Sequence, residues 1–303
     1  MQKKIHLAII DADIPAPALY AARGLYSAQF EKILQKAVTQ LSHIKEYEKY
    51  DIKLHVTAYD LLAGVYPPLE HLRTTTNETT KDDPIDAILI TGAPPGAYET
   101  DKYPWIVDLE KYIRHIFDKY PCVRMLGSCF GHQVIAQALL PNDVIVEKSL
   151  LGREAGLYTI QTDPAFAKCF PILSTLPYGV TLQMMHGDWV ISRSGRDTNG
   201  INEALSANLP SPWMRTGYTD ICPIQGLYYP GRILTIQGHF EQDGFAMKEM
   251  CMEFSSNLKW SQEYLDSALQ RINPDPSHYE DNADMVAMNV VLFLAGIEND
   301  SKQ

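Results

Sequence analysis

The stretch Met125-Leu126-Gly127-Ser128-Cys129-Phe130-Gly131-His132-Gln133 places a cysteine between two glycines, each two positions away. An apolar segment precedes it, and residues 130–140 carry apolar side chains at helical spacing until Pro141. A nucleophile on a tight strand-to-helix turn occupies crowded backbone space, and Gly127 and Gly131 leave room for it. Most cysteines are small buried hydrophobes, but this context favours a nucleophile elbow, with Cys129 at a helix N-terminus whose dipole favours the thiolate.

A second motif supplies the base that a nucleophilic cysteine needs. In residues 231–241 an apolar strand runs into Gly238 and His239, and Glu241 follows two residues later. Alternate residues of an extended chain point the same way, so Glu241 can reach an imidazole that faces Cys129. A strand-end histidine beside a solvated glutamate is the alternative, and the elbow upstream favours the pairing.

The two motifs, Gly-Ser-Cys-Phe-Gly-His-Gln at 127–133 and Gln-Gly-His-Phe-Glu at 237–241, resemble those of class I glutamine amidotransferases. Three further stretches agree in order. Residues 88–97 resemble the oxyanion strand of that family, and residues 152–156 resemble the segment after its elbow helix. Residues 185–188 resemble a substrate-side loop in the glutaminase part of GMP synthase. The resemblance spans about residues 5–245 and implies a Cys-His-Glu hydrolase fold.

The resemblance implies a catalytic role for three residues. Cys129 is the expected nucleophile, His239 is the expected acid and base, and Glu241 is expected to orient the imidazole. The implied chemistry is hydrolysis of an amide through a thioester on Cys129. It requires no metal ion and no organic cofactor, and the sequence shows neither a metal-ligand cluster nor a phosphate-binding glycine loop.

The resemblance also implies which residues bind the oxyanion and the substrate. Backbone N–H groups of Ala93, which follows Gly92, and of Phe130 are expected to hold the oxyanion, with an ordinary glycine turn at Gly92 as the alternative. Four further residues are expected to contact the substrate, namely Gln133, His186, Gly187 and Asp188. The alternative for Gln133 is an ordinary surface glutamine. The alternative for His186 and Asp188 is a turn whose polar groups bond to one another and to nearby backbone.

The chain departs from the family pattern at two places. Phe240 stands where the family commonly has proline between histidine and glutamate. Ala93 stands where a second glycine or a serine is usual, and Pro94 and Pro95 stiffen the segment that follows. The first departure bears on the shape of the loop, whereas the reacting groups are intact.

Alternating strands and helices predict an α/β fold. We expect a doubly wound, mostly parallel sheet with flanking helices in three flavodoxin-like layers, a small antiparallel addition and a helical C-terminal extension. Strands are predicted at 5–10, 51–59 and 84–90, and helices at 20–41, 105–119, 245–269 and 285–296. A surface loop is predicted at 73–83 and antiparallel strands within 144–206. The expected division is an amidotransferase-like domain at 1–250 and a C-terminal extension, packed on it, at 251–303.

Net charge, cysteine content and the length of apolar runs argue against several kinds of partner and site. The 303-residue chain has a formal net charge of −11, which argues against nucleic-acid and anionic membrane surfaces because phosphates are repelled. Its five cysteines are odd in number and lack C-x-x-C spacing, which argues against a disulfide framework and a zinc site. Asp11 and Asp13 cut short the only N-terminal apolar run, and no stretch reaches the ~18 apolar residues of a membrane span. We therefore expect a cytoplasmic protein.

Three functions are compatible with the sequence. The first is a stand-alone hydrolase of γ-glutamyl amides such as glutamine, glutathione or a γ-glutamyl conjugate. The second is the glutaminase subunit of an amidotransferase, which passes ammonia to a separate synthase subunit. The third is a binding or scaffold protein of the same fold without turnover, against which the intact Cys129, His239 and Glu241 argue. The expected partner is a small γ-glutamyl substrate, and an oligomer is compatible with each function.

Overall fold

The computed structural model describes residues 1–74, 83–196, 208–273 and 280–298. Most of the predicted surface loop at 73–83 and residues 197–206 of the predicted antiparallel region lie outside this part. The strands are β1 Gln2–Asp11, β2 Asp51–Asp60, β3 Ala87–Ile90, β4 Arg124–Ser128, β5 Val144–Lys148, β6 Glu154–Thr162, β7 Val180–His186, β8 Asp188–Ser192, β9 Met214–Arg215, β10 Gly217–Tyr218, β11 Leu227–Tyr229 and β12 Ile233–Ile236. The helices are α1 Pro17–Arg23, α2 Tyr26–Leu41, α3 Trp105–Lys119, α4 Phe130–Leu139, α5 Pro164–Ala167, α6 Pro171–Ser174, α7 Arg193–Arg196, α8 Gly244–Asn257, α9 Gln262–Ile272 and α10 Ala283–Ala295.

The central sheet has seven strands in the order β2-β1-β3-β4-β12-β11-β9. The five strands from β2 to β12 run parallel, and β11 and β9 add antiparallel pairs at one side. Ile90 of β3 pairs with Gly127 of β4, and Ile236 of β12 pairs with Ser128. The carboxyl ends of β3, β4 and β12 therefore meet at one edge, where α/β folds place their ligand sites.

Helices cover both faces of this sheet. Alternate residues of β1 point to opposite faces, as an extended chain requires. Leu7 and Ile9 belong to an apolar cluster with α2 and α10, whereas Ala8 and Ile10 belong to one with α3 and α4. The three-layer, doubly wound fold predicted from the sequence is confirmed.

Smaller antiparallel sheets lie beside the central one. β6 pairs with β7 and with β10, and β5 pairs with β8, so antiparallel strands occur in the region where the sequence predicts them. β7 ends at His186 and β8 begins at Asp188. Gly187 therefore lies at the point where the chain passes from one small sheet to the other.

Two of the predicted helices are each divided in the structure. The helix predicted at 20–41 is interrupted at Gly24, whose φ of 76° lies in the left-handed region, and at the extended Leu25. The helix predicted at 245–269 is interrupted by a turn that contains Lys259 at φ 50°. Ser261 then begins α9, because its side chain accepts a hydrogen bond from the N–H of Tyr264. Apolar periodicity runs through both breaks, so the sequence pattern missed them.

The C-terminal helices are part of the same packed structure. α10 lies against α2 and β1, and α9 lies against β6. Helix α8 runs through residue 250, so the predicted division at that position crosses a continuous helix and stays a prediction. No helix in the described part of the chain has the length and apolar character needed to cross a bilayer.

The close approach of the elbow to β3 leads to a stability prediction. A Cβ atom on Gly131 would lie 2.2 Å from the carbonyl oxygen of Ile90, a backbone atom that cannot rotate away. We expect Gly131→Ala to lower the free energy of unfolding by about 3 kcal/mol, measured by urea denaturation. The control is Gly231→Ala, which has the left-handed φ of 71° but nothing within 4 Å of the added atom.

The control variant should cost about 1 kcal/mol through backbone strain alone. Equal losses for Gly131→Ala and Gly231→Ala would contradict the steric explanation.

Candidate active site

The predicted elbow is present between β4 and α4. Cys129 has φ 51° and ψ −106°, a backbone conformation that non-glycine residues rarely adopt. A Cβ atom on Gly127 would lie 2.4 Å from the carbonyl oxygen of Gly131. The turn therefore needs glycine at both flanking positions, as its spacing in the sequence indicates.

His239 and Glu241 form the predicted pair. Nδ1 of His239 lies 2.7 Å from Oε1 of Glu241, and the two side chains are 3% and 1% exposed. The backbone N–H of His239 donates to the carbonyl oxygen of Gln183 in β7, which fixes the segment after β12. The chain after β12 thus holds the imidazole and the carboxylate in contact, away from water.

The neighbours of His239 favour its charged form. Burial disfavours the imidazolium and by itself lowers the pKa of His239, but the Glu241 carboxylate and Cys129 together raise that pKa to about 10. Nε2 has no hydrogen-bond partner among the described residues. One ring nitrogen is therefore held by Glu241, and the other is available to a reacting group.

Gly92 lies between the cysteine and the histidine. A Cβ atom on Gly92 would lie 3.4 Å from Cε1 of His239 and 3.5 Å from Cβ of Cys129. Residues that follow three different strands, β3, β4 and β12, thus meet at one edge of the sheet. The structure brings together Gly92, Cys129 and the His239–Glu241 pair.

The buried amide of Gln237, which the sequence motifs did not mark as a site residue, also contacts the cysteine. Nε2 of Gln237 donates to Sγ of Cys129 at 3.4 Å, and Oε1 of Gln237 accepts from Nε2 of Gln133 at 3.1 Å. Gln237 is fully buried at the end of β12. Its position two residues before His239 on an extended segment was the available signal, since alternate residues share a face.

A cavity of about 300 Å³ opens above Cys129. Most of the residues predicted to bind the oxyanion or substrate line it, namely Ala93, Gln133, His186, Gly187 and Asp188. The side chain of Phe130 points elsewhere and packs on Trp105 in the core. Its backbone N–H belongs to the first residue of α4, which has no intrahelical acceptor.

The ring of His186 is bound within the protein. Nδ1 lies 2.9 Å from the carbonyl oxygen of Asp188, and Nε2 lies 2.7 Å from Oε2 of Glu154. For the imidazole of His186, this geometry matches the alternative of a turn whose polar groups are bonded within the protein. Gly187 and Asp188 remain at the cavity wall, where Tyr98 donates to Oδ1 of Asp188 at 3.2 Å. Burial raises the pKa of Asp188.

Glu154, which lines the cavity, is the centre of a buried hydrogen-bond network. Its carboxylate accepts hydrogen bonds from Thr219 at 2.6 Å and Gln225 at 2.6 Å in addition to the contact with His186. Burial raises the pKa of Glu154, but the contacts with His186, Thr219 and Gln225 lower it by a larger amount. The pKa of Glu154 is therefore below its ordinary value. Cys222 lies close enough to complete a set of metal-type ligands. Because both oxygens of Glu154 already accept hydrogen bonds, the arrangement fits a hydrogen-bond network better than a metal centre.

An apolar part of the cavity lining comes from the C-terminal region of the chain. Phe254 of α8, Leu258 and Trp260 form it. These residues lie beyond the stretch that carries the family resemblance, and no pattern in the sequence marks them as part of a site. Folding of the C-terminal region onto the small sheets brings them to Cys129.

Phe240 explains the departure from the family motif. Its side chain is 1% exposed and packs edge-on against Phe30 of α2, with ring centroids 5.4 Å apart. The residue between His239 and Glu241 therefore points into the core, away from the reacting groups. Phe240, packed in the core, thus occupies the position where the family commonly has proline. The contact between His239 and Glu241 is intact.

Two curated proteins resemble the chain. A putative glutamine amidotransferase-like protein of Schizosaccharomyces pombe is 27% identical over 291 residues, which cover 95% of this chain and 98% of that protein. A putative glutamine amidotransferase of Saccharomyces cerevisiae is 24% identical over 219 residues, which cover 71% of this chain and 73% of that protein. No protein-family model matches the sequence.

Solved structures share the architecture. A glutamine amidotransferase of Thermotoga maritima superposes with a TM-score of 0.60 at 17% identity, covering 96% of this chain and 98% of that one. A glutamine amidotransferase of Methylobacillus flagellatus gives 0.55 at 15% identity, with 100% and 96% covered. The chain has the class I glutamine amidotransferase fold. The resemblance indicated by the elbow and histidine motifs is thus confirmed.

The Glu154 network leads to a pH-dependent stability prediction. The pKa of Glu154 is lower in the folded protein than its ordinary value of 4.5, so its contribution to stability is present above that value and is lost as the pH falls through the folded pKa. We expect Glu154→Gln to destabilise the protein by about 2 kcal/mol near neutral pH. In urea denaturation the difference from wild type should shrink progressively as the pH is lowered below 4.5.

The control is Glu31→Gln on the exposed face of α2, which should match wild type at each pH. A Glu154→Gln difference that stays constant across this pH range would show that the carboxylate charge does not stabilise the network.

Proposed function

We propose that the protein is a cysteine-dependent hydrolase of γ-glutamyl amide bonds, acting through a γ-glutamyl thioester on Cys129. The observation that carries the proposal is the meeting of Cys129, which lines a cavity, and the His239–Glu241 pair on either side of Gly92. A nucleophile, a base and a group that orients the base are the parts that covalent amide hydrolysis requires.

In the first step the Cys129 thiolate attacks the γ-carbonyl carbon, and the carbonyl oxygen takes up the negative charge. The raised pKa of His239 supports an imidazolium beside the thiolate, and the amide of Gln237 donates to Sγ. Backbone N–H groups of Ala93 and Phe130 are the proposed oxyanion donors. The position of Phe130 supports its assignment, because it is the first residue of α4, follows Cys129 directly, and has a backbone N–H without an intrahelical acceptor.

In the second step the tetrahedral intermediate collapses and the C–N bond breaks. His239 gives its Nε2 proton to the leaving amine, so a neutral amine departs and the thioester remains. The neutral imidazole then removes a proton from water, which attacks the thioester and releases glutamate from Cys129. Glu241 holds Nδ1 throughout and stabilises the imidazolium whenever it forms.

The cavity supplies groups of both signs for the amino-acid end of a glutamyl substrate. Asp188 can accept hydrogen bonds from an α-ammonium group, and Arg153 can donate to an α-carboxylate, since both line the cavity. We assign Gln133 and Gly187 to the same end of the substrate. The imidazole of His186 is assigned to support of the loop, because Asp188 and Glu154 occupy both of its nitrogens.

The second candidate is a glutaminase subunit that passes ammonia to a separate synthase. The names of the two curated relatives favour it, since both are described as glutamine amidotransferases or amidotransferase-like. A subunit of this kind needs its site to stay slow until the synthase docks, whereas a stand-alone hydrolase needs a preorganised site. Pro94 and Pro95 restrict the segment after the oxyanion strand and favour the stand-alone hydrolase.

Activity of the isolated chain tests the proposal. We expect the purified protein to release glutamate from γ-glutamyl dipeptides with a higher kcat/KM than from glutamine. Cys129→Ala and His239→Ala should each lower kcat by about 10⁴-fold or more, and Glu241→Ala should lower it less, because the nucleophile and its base act as a unit.

Circular dichroism would establish that each variant is folded. Glutaminase activity that appears only after a cell extract is added, with no turnover of γ-glutamyl peptides, would favour the amidotransferase subunit. Full activity in a folded Cys129→Ala variant would exclude the thioester mechanism.

Thiol labelling tests the activation of Cys129 without a substrate. Burial raises the pKa of Cys169, of Cys222 and, to about 11, of Cys251. We expect iodoacetamide near neutral pH to modify Cys129 before the other cysteines, and His239→Gln to slow that modification by about 10-fold or more. Peptide mass spectrometry over a time course provides the measurement, and preferential labelling of Cys122 would contradict the prediction.

A further inference from the structure

We infer that the apolar wall formed by Phe254, Leu258 and Trp260 is a binding site for the leaving group, and that it selects amines with an uncharged, aromatic substituent. The inference rests on the proposed function and names its substrate class more closely. The wall and Cys129 line the same cavity, so a group held against the wall lies within the reacting complex.

The polar side of the cavity accounts for the glutamyl end of the substrate. The carbonyl oxygen of Met185 lies 3.9 Å from Sγ of Cys129, and Gly187 lies two residues farther along the chain. Two residues of extended chain cover roughly 7 Å. The four carbon–carbon bonds from the γ-carbonyl to the α-carboxylate cover roughly 5 Å. The α-carboxylate can therefore reach the surroundings of Gly187.

Arg153 lies at that place. A Cβ atom on Gly187 would be 2.7 Å from Nη1 of Arg153, so the guanidinium group packs directly over the glycine. Asp188 follows Gly187 in the chain and lines the same cavity as Arg153, so the cavity offers a cation and an anion for the two α-substituents. With the glutamyl group on this side, the apolar wall is left to the remaining part of the substrate, the leaving amine.

The wall is built as a fixed surface. Lys259 adopts φ 50°, and the N–H of Trp260 donates to the carbonyl oxygen of Ser255 at 2.9 Å, which closes the turn after α8. The indole of Trp260 packs edge-on against Tyr264, with centroids 4.8 Å apart. The hydroxyl of Tyr264 donates to the carbonyl oxygen of Arg153 at 3.2 Å. The apolar wall and the proposed carboxylate anchor are therefore held together.

The wall leaves apolar surface in the cavity for a ligand to bury. Leu258 lines the cavity and is 48% exposed, and Phe254 and Trp260 are partly exposed. All three members of the wall are uncharged, so an apolar substituent would be desolvated against them without leaving a charge unpaired. An aromatic ring in this position should raise kcat/KM by about 10-fold or more.

Comparison of two substrates distinguishes an effect on leaving-group binding from an effect on the chemical steps. γ-L-Glutamyl ethylamide and γ-L-glutamyl phenethylamide both release a primary alkylamine, and only the second carries an aromatic ring. We expect wild type to hydrolyse the phenethylamide with a kcat/KM about 10-fold higher or more. Leu258→Ser and Trp260→Ala should each reduce this preference to about twofold or less.

The control variant is Met252→Ser. Met252 lies on α8 with 47% exposure, close to the 48% of Leu258, but it does not line the cavity. It should keep the full preference for the phenethylamide. Agreement between Met252→Ser and wild type, with a reduced preference in the two wall variants, would support the subsite.

Results that overturn the leaving-group site differ from results that overturn the proposed function. Equal kcat/KM for the two amides in wild type would overturn the leaving-group site and leave the proposed function in place, provided that mass spectrometry detects a glutamyl group on Cys129. Equal losses on both amides in the wall variants, with the preference kept, would show a purely structural wall and would also overturn it. Absence of a glutamyl thioester with either amide and with glutamine would overturn the proposed function itself.

Discussion

The close contact between the elbow and β3 is the constraint on which the site depends. Gly131 approaches the carbonyl oxygen of Ile90 so closely that a Cβ atom would lie 2.2 Å from it. This contact lets α4 begin directly against the end of β3, and it holds Cys129 in its left-handed conformation beside Gly92. The parallel pairing of β12 with β4 then brings His239 to the same edge. The position of the nucleophile relative to its base is thus set by backbone packing, which a side-chain rotation cannot relax.

Two buried polar networks hold the substrate-side loop from different directions. Gln133 donates to Gln237 and, at 3.4 Å, to the carbonyl oxygen of Asp188, so one network joins the loop to the cysteine. His186 joins the same loop to Glu154, which accepts two further hydrogen bonds. Buried polar groups that are partnered in this way rigidify a site, because each alternative arrangement leaves a donor or acceptor unpaired. The loop is therefore held in one arrangement by side chains of the chain itself.

The sequence predicted the parts of the site that depend on local backbone chemistry. The glycines around Cys129 and the two-residue spacing of His239 and Glu241 have short-range physical causes, and the structure contains both arrangements. The double-wound sheet was predictable because buried parallel strands form continuous apolar runs. The break at Gly24 was missed because apolar periodicity continues across it. The wall at Trp260 was also missed, because it arises only when α8 and α9 fold back over the small sheets, and a tertiary contact leaves no periodic pattern.

Two contacts with helices of the same chain share a physical consequence. With Phe240 in the core against Phe30, the segment that carries His239 is anchored to α2 through an aromatic contact. The C-terminal region in turn is tied to the cavity lining through the hydrogen bond from Tyr264 to the carbonyl oxygen of Arg153. Two parts of the site are thus held by helices of the chain itself. Order that comes from contacts within the chain is the physical reason for proposing a hydrolase with its own leaving-group wall rather than a subunit that awaits a synthase.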